Sequence, residues 1–188
     1  MRGLARSGSA GLTVIIAICW TVSTGAAAAQ RRPAMQFPAG VTLDSAGNVF
    51  VADRAAHVVF RIDARTNDIT VFAGTGNAGR SGDGGPARAA ELRHPEWVEF
   101  DARGNLYVAD RGNHVIRRID AAGIITHVAG TGASGQSGDG GPAATAAMTN
   151  PFGFTFDRAG TQMDSSLLPW QLARHRRIDR RRQCPPRV

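Results

Sequence analysis

Histidine and aspartate recur at equivalent points of this sequence, and both residue types can bind a metal ion or transfer a proton. His57 and His114 lie 57 residues apart, and each follows a turn sequence. Asp83 and Asp139 lie in two copies of one string, SGDGGPA. No histidine has a partner at His-x-x-x-His spacing, and no Gly-x-Ser-x-Gly string marks a nucleophile. The sequence therefore predicts no catalytic, cofactor-binding or metal-binding residue and no cofactor.

Packing and turn formation explain the same four residues. Histidines that recur once per repeat are expected to serve the packing of the repeat itself. In SGDGGPA, the glycines suit positive φ angles, the proline suits the first turn of a short helix, and the aspartate can bond nearby backbone N–H groups. We favour these structural roles and keep four loop candidates for ligand binding: Asp83, Asp139, His57 and His114.

Two further aspartates, Asp53 and Asp110, end predicted strands. Carboxylates at strand ends could surround the mouth of a channel and hold a cation. They are also common first residues of turns, where they cap backbone N–H groups, and we favour that interpretation.

All these residues belong to a longer repeat. The segment PAGVTLDSAGNVFVADRAAHVVFRID, from Pro38, aligns without a gap with PEWVEFDARGNLYVADRGNHVIRRID, from Pro95. A third copy begins at Pro151 as PFGFTFDRAG. Each full unit has four short runs rich in Val, Ile and aromatic residues, separated by turn sequences such as Asp-Ala-Arg-Gly-Asn. Four strands joined by tight turns predict an antiparallel meander, so the predicted fold class is all-β.

The repeat resembles the NHL repeat in its Pro-x-Gly-Val, Asp-x-x-Gly-Asn-Leu-Tyr-Val-Ala-Asp and Asn-His-x-Ile strings. The segment VAGTGASGQSGDGGPAATAAM resembles the loop that joins blades in many secreted bacterial members of that family. The likeness covers residues 38–160, with Trp97 standing where the other units have Gly40 and Gly153. It implies a β-propeller, here about two complete four-stranded blades and the start of a third. It also implies binding of protein, nucleic acid or small ligands through the loops, without catalysis in most members.

The pattern divides the chain into six parts. They are a signal peptide (1–29), a linker (30–37), a first blade with its inter-blade loop (38–94), a second blade with its loop (95–150), the start of a third blade (151–160) and a basic non-repeat tail (161–188).

The N-terminus has the parts of a secretory signal. Arg2 and Arg6 precede a short apolar run, and a small-residue stretch follows with an expected cleavage site after Ala29. We therefore predict a secreted or periplasmic bacterial protein with no membrane contact after cleavage. The alternative is an uncleaved membrane anchor. Only Cys184 remains after cleavage, which excludes an intrachain disulfide in the mature chain.

Charge argues against nucleic acid as a partner. The formal net charge is +7, but the excess of arginine lies in residues 1–37 and 158–188, whereas residues 38–157 carry more acids than bases. A nucleic-acid site needs a basic patch on the folded body. We expect an unknown protein or small ligand as the partner and no nucleic acid.

The tail after residue 160 lacks the strand pattern of the repeats. It is rich in arginine, as expected of a GC-rich gene read out of frame, and Trp170-Gln171 can be encoded so that a shifted frame reads Gly-Asn. Against a frameshift, the string RRID at 176–179 repeats RRID at 117–120 in the present frame. A frameshift and a native basic tail both remain open. Two blades cannot close a ring, so we expect self-association or further blades.

These observations predict an exported NHL-repeat propeller fragment that acts as a binding or scaffold module, or a truncated product without function. The alternative is a fragment of a metal-dependent propeller lyase that uses histidines such as His57 and His114. A lyase should bind a divalent metal and lose it when these histidines are replaced.

Overall fold

A computed structural model describes residues 34–156 and two short strand segments, 162–164 and 178–179. The predicted signal peptide (1–29) and most of the predicted tail (161–188) lie outside the described residues, so export and the frameshift stay predictions. Searching the described residues finds no helix that is both long and apolar enough to cross a membrane. Their regular structure is β-strand and short 3-10 turns.

Two four-stranded antiparallel sheets form the body of the protein, and each follows chain order. The strands of the first sheet are β1 (Pro38–Leu43), β2 (Val49–Asp53), β3 (Val58–Ile62) and β4 (Ile69–Ala73). Those of the second sheet are β5 (Pro95–Phe100), β6 (Leu106–Asp110), β7 (Val115–Ile119) and β8 (Ile125–Ala129). The prediction of an all-β chain built from four-stranded meanders is confirmed.

The turns between the first two strands of each sheet are built by aspartate side chains. The Asp44 carboxylate accepts from the backbone N–H groups of Ala46 and Asn48, both at 2.9 Å, and from the Asn48 amide at 2.7 Å. Asp101 and Asn105 repeat the arrangement in the second sheet. These local bonds explain why the Asp-x-x-Gly-Asn string recurs where a strand must reverse.

The second sheet is buried on both faces. Along β6, Leu106 and Val108 pack with residues of the first sheet, whereas Tyr107 and Ala109 pack with Phe154 on the other side. Alternate side chains of a strand point to opposite faces, so these four residues of β6 are divided between two hydrophobic cores. Burying one such aliphatic side chain stabilises the fold by about 1.5–3 kcal/mol.

A third sheet begins with β9 (Thr155–Phe156) and continues, antiparallel, with β10 (Gln162–Asp164) and β11 (Ile178–Asp179). Here the structure differs from the sequence pattern, which predicted no strand after residue 160. The segment of β11 is the Ile-Asp of the second RRID string, and it stands third in its sheet, as β7 does in the second.

The outer face of the first sheet exposes apolar side chains. Val41 and Leu43 of β1 are 57% and 61% exposed. The equivalent of Val41 in the second sheet is Val98, which is fully buried against the first sheet. The same face of the repeat is therefore covered in one sheet and open to solvent in the other.

Candidate functional site

The first SGDGGPA loop is held by an arginine of the second sheet. Arg117, in β7, is fully buried, and its guanidinium contacts the Asp83 carboxylate at 2.9 Å and 3.1 Å. It also donates to the backbone carbonyl oxygens of Glu91 at 2.7 Å and Ser81 at 3.1 Å. Asp83 therefore belongs to a set of polar contacts around Arg117, which we name the Arg117 network, that joins the loop to the second sheet. Asp139 occupies the equivalent position of the second loop.

Sequence reasoning did not single out Arg117. The equivalent residue in the first repeat is Phe60, so repetition could not mark the position. The departure from the repeat was the one available signal, because a charged residue in a buried strand position needs partners that the local sequence does not supply.

The strand-end aspartates are buried and saturated with hydrogen bonds. Asp53 accepts from four backbone N–H groups, which belong to Gln36, Phe37, Ala55 and Ala56. Such a carboxylate is occupied by its own turn and has little capacity left for a cation.

Asp110, the equivalent of Asp53 in the second sheet, has a different electrostatic environment. Its carboxylate accepts from the Arg93 backbone N–H at 2.7 Å and the Asn113 amide at 2.8 Å, and lies 3.7 Å from the Arg117 guanidinium. Burial raises the pKa of Asp110 to about 6, because it disfavours the charged form more than Asn113, Arg93 and Arg117 favour it.

His57 and His114 connect consecutive sheets. Both adopt left-handed backbone conformations, with φ of 58° and 57°. Nδ1 of His57 accepts from the His94 backbone N–H at 3.1 Å, and Nδ1 of His114 accepts from that of Asn150 at 3.0 Å. Burial lowers the pKa of His57, and the neighbouring charges of His94 and Arg93 lower it further.

The structure does not bring the four predicted loop residues to one place. His57 accepts from His94 at one sheet boundary and His114 accepts from Asn150 at the next, while Asp83 is paired with Arg117. Across the described ranges, no group of three or more His, Cys, Asp or Glu side chains is placed to hold a metal ion.

A different set of residues converges where β2 and β6 end, and we name it the Arg–Glu cluster: Arg54, Glu96 and Arg111. Arg54 and Arg111 directly follow Asp53 and Asp110, so each sheet contributes one arginine. Oε2 of Glu96 lies 3.7 Å from Nε of Arg54 and 3.8 Å from Nη1 of Arg111. The cluster therefore forms only when the two sheets are packed together.

The Glu96 carboxylate is buried, with a side-chain exposure of 8%, whereas the Arg54 and Arg111 side chains are 38% and 26% exposed. Oε2 of Glu96 and Nε of Arg111 are buried and have no hydrogen-bond partner. A buried polar atom without a partner costs about 1–3 kcal/mol, so nearly all such atoms in proteins find one. In the part of the chain that the structure describes, the one other buried side-chain atom of this kind is Nε of Arg118, so two of the three lie in the cluster.

An aromatic side chain borders the cluster. The Arg54 guanidinium carbon lies 5.8 Å from the centre of the Phe37 ring, within cation–π range. Phe37 is 54% exposed. Gly40 sets the spacing of the strands here, since a Cβ at this position would lie 2.7 Å from the Glu96 carbonyl oxygen.

The sequence contained a weak signal for this cluster. The arginine after the strand-end aspartate recurs in both units, and Glu96 departs from Ala39 and Phe152 at the equivalent positions. Only the packing of β5 beside β1 shows that these three side chains meet.

The opposite end of the two sheets carries a groove of about 570 Å³. Its wall is aromatic, with Phe72 and Phe100 packed edge-to-face on Phe50. The carboxylates at its rim, Asp101 and Asp120, are bonded to N–H groups of their own turns. The groove is therefore lined by the inter-sheet core and by polar groups that the turns already use.

The comparisons with known proteins agree with this architecture. The family model of the teneurin NHL domain matches residues 56–135. NHL repeat-containing protein 2 of Gallus gallus is 33% identical over 135 residues, which are 70% of this chain and 18% of that protein.

Two solved structures from Bacteroides thetaiotaomicron share the fold. A structural genomics protein of unknown function aligns with a TM-score of 0.56 and 21% identity, over 63% of this chain and 29% of that one. An auxiliary nutrient binding protein aligns with a TM-score of 0.54 and 21% identity, over 66% and 33% of the two chains. This chain thus spans at most a third of these relatives. The matches support an NHL-repeat family and a propeller-like arrangement of the sheets.

Proposed function

Starting from a chain with NHL-type repeats and propeller-like sheets, we propose that the protein is a binding or scaffold module without catalytic activity of its own. We place its ligand at the Arg–Glu cluster. The observation that carries the proposal is that two partly exposed arginine side chains, one from each sheet, meet at the buried Glu96 carboxylate.

The contrast with the structural carboxylates supports a binding role. Asp53 and Asp110 are fully buried, and both accept hydrogen bonds at short distance from residues of the fold. Among the described residues, Glu96 has two ion pairs, at 3.7 Å and 3.8 Å, which exceed hydrogen-bond length. Ion pairs of this length leave N–H groups of both arginines that Glu96 does not engage and that a ligand could use.

The accessibility of the two arginines supports the same role. A fully structural ion pair would be expected to bury its cations as Arg117 is buried. The Arg54 and Arg111 side chains instead reach solvent while their charge lies against Glu96. Their outward N–H groups can bind a second molecule without breaking these contacts.

Export is part of the proposal. The sequence of residues 1–29 has the charged start, the apolar centre and the Ala-x-Ala end of a secretory signal. We propose that the module acts outside the bacterial cytoplasm, where it would bind an extracellular or periplasmic ligand.

The test is an NMR titration of the full, uniformly ¹⁵N-labelled chain with four ligand classes: amino acids, dipeptides, nucleotides and monosaccharides. We expect one class to shift the amide signals around Arg54, Glu96 and Arg111, and Glu96→Gln to remove the effect. Arg65→Gln, at an exposed turn position, is the matched control and should leave binding unchanged. Shifts confined to the groove at Phe100, or no shifts with any class, would refute the placement of the ligand.

The lyase alternative has its own discriminating measurement. Calorimetric titration with Mn²⁺ and Zn²⁺ should show stoichiometric binding that disappears in His57→Ala if the alternative holds. The proposed module should show no metal binding that depends on this histidine, since its Nδ1 accepts from the backbone N–H of His94.

A further inference from the structure

Both sheet boundaries in the described part of the chain contain a hydrogen bond whose acceptor is a histidine ring. Nδ1 of His57 accepts from the His94 backbone N–H at 3.1 Å, and Nδ1 of His114 accepts from that of Asn150 at 3.0 Å. All four residues adopt left-handed backbone conformations, with φ between 47° and 58°. The same unusual conformations at both boundaries show that this contact is a repeated part of the fold.

The bond between His57 and His94 depends on the protonation of one nitrogen atom. A ring nitrogen accepts a hydrogen bond only while it carries no proton, and in a charged histidine both ring nitrogens are donors. A proton on Nδ1 of His57 would therefore point a donor at the N–H of His94. Nδ1 of His94 has the opposite role, because it lies 3.2 Å from the backbone carbonyl oxygen of Arg54 and must donate to it. Protonation of His94 leaves that bond intact, so His57 is the proton-sensitive partner.

This boundary also carries the Arg–Glu cluster. Arg54 lies in the same turn as His57, and Glu96 follows His94 by two residues at the start of β5. The 3.7 Å contact between Nε of Arg54 and Oε2 of Glu96 spans the boundary that the His57 bond closes.

We propose that the His57–His94 bond is a pH-sensitive contact that controls the Arg–Glu cluster. A proton taken from solvent by Nδ1 of His57 breaks the bond, opens the boundary between the first two sheets and separates Arg54 from Glu96. Its use in regulating ligand binding rests on the proposed function.

The surroundings of His57 favour its neutral form at neutral pH. Burial lowers the pKa of His57 most, and the charges of His94 and Arg93 lower it further, while Asp53 acts in the opposite direction. The rings of His57 and His94 lie 4.7 Å apart between their centres, so a charge on one opposes a charge on the other. The remaining charged groups on the segments that meet here are Arg54, Glu96 and Asp110, of which Asp110 accepts from the Arg93 backbone N–H.

The direction of the pH dependence follows from the lowered pKa. The closed boundary binds no proton at His57, whereas an open boundary binds one below the ordinary histidine pKa of about 6.5. The contact is therefore intact at neutral pH and is lost as pH falls from about 6.5 toward the lower pKa of His57 in the folded protein.

Hydrogen exchange of the full, ¹⁵N-labelled chain without ligand tests the inference between about pH 7.5 and pH 5. After correction for the intrinsic pH dependence of exchange, we expect the protection of the His94 amide to fall about tenfold for each pH unit below about 6.5, until the pKa of folded His57 is reached. The ¹⁵N signal of Nδ1 of His57 should show the added proton over the same range. The Nε–H signal of Arg54 should shift with it as Arg54 leaves Glu96.

His57→Asn is the matched variant, because the asparagine side-chain oxygen stands as many bonds from the backbone as Nδ1 and accepts without titrating. Asn67 and Asn150 adopt the required conformation, with φ of 58° and 47°. In this variant the protection of the His94 amide should lose its tenfold dependence on pH. The Asn150 amide, which donates to His114, is the internal control and should respond as in the wild type. Asp110 is present in both proteins, so its own titration cancels in the comparison.

Three results would overturn the inference. They are equal loss of His94 protection in the wild type and in His57→Asn, protection that is unchanged down to about pH 5, and loss of protection while Nδ1 of His57 stays unprotonated. Because the experiment contains no ligand, its failure leaves the proposed binding site standing. Conversely, a ligand titration without shifts at the cluster leaves the pH-sensitive contact standing.

Discussion

Replacing Arg117 should remove the contacts that hold the first inter-blade loop against the second sheet and should strongly destabilise the protein. In Arg117→Met, the loop loses the donors to the carbonyl oxygens of Ser81 and Glu91 and the ion pair with Asp83. The same change leaves the buried Asp110 carboxylate without its nearest positive charge, which lies 3.7 Å away. Removing one partner of a buried ion pair costs about 3–5 kcal/mol, and we expect a loss in this range.

The loss of stability on replacing each residue depends on how deeply its side chain is buried. Variants at Arg117, Asp83 and Arg118 therefore should show losses of different size. The Asp83 side chain is 36% exposed, so solvent screens its attraction to Arg117, and Asp83→Asn should cost only about 1 kcal/mol. Arg118→Met is the matched control on the same strand, because the Arg118 Nε has no hydrogen-bond partner to lose. Its effect should stay within about 0.5–1 kcal/mol.

Urea unfolding followed by tryptophan fluorescence measures these differences, and amide hydrogen exchange of residues 81–91 shows whether the loop itself is released. If Arg117→Met does not fold, the milder variants Arg117→Lys and Asp83→Asn still test the contribution of the Arg117 network to stability. A loss below about 1 kcal/mol in Arg117→Met, or unchanged exchange of the loop amides in all variants, would refute the reasoning.

Three further predictions address other parts of the fold. Burial raises the pKa of Asp110 in the folded protein to about 6, above the ordinary value of an aspartate, so the free energy of unfolding should fall as pH rises from about 4 to 6, by up to about 3 kcal/mol. Asp110→Asn should abolish this part of the pH dependence in urea titrations, and an unchanged profile would contradict the pKa shift. Gly40→Ala would place a Cβ 2.7 Å from backbone atoms of β5, so we expect a loss of about 1–3 kcal/mol in unfolding, whereas an unaltered urea midpoint would show that the strands can separate freely. The exposed apolar side chains of Val41 and Leu43 should cause the protein to self-associate in analytical ultracentrifugation, and the double variant Val41→Thr/Leu43→Thr should not self-associate. A wild-type chain that stays monomeric at every concentration would count against this prediction.

The strands and turns could be predicted because their causes are local. The run of apolar residues in LYVAD and the side-chain bonds of Asp101 to its own turn act over a few residues, so their spacing is visible in the sequence. The repeat showed that the two sheets are equivalent, since two aligned copies must place their strands and turns alike. The segment after residue 160 escaped prediction because its strands are only two or three residues long, too short for a periodic pattern.

By itself the sequence determined the all-β class, the meander of four strands and the positions of the turns. Tertiary structure alone decided which side chains meet between sheets. Arg117 reaches Asp83 across 34 residues of chain, and Glu96 meets Arg54 and Arg111 because β5 packs beside β1. The physical reason is that the strength of a contact between charged side chains depends on their burial and on the distance between them. Both quantities depend on how the sheets pack, and the spacing of residues along one strand does not determine them.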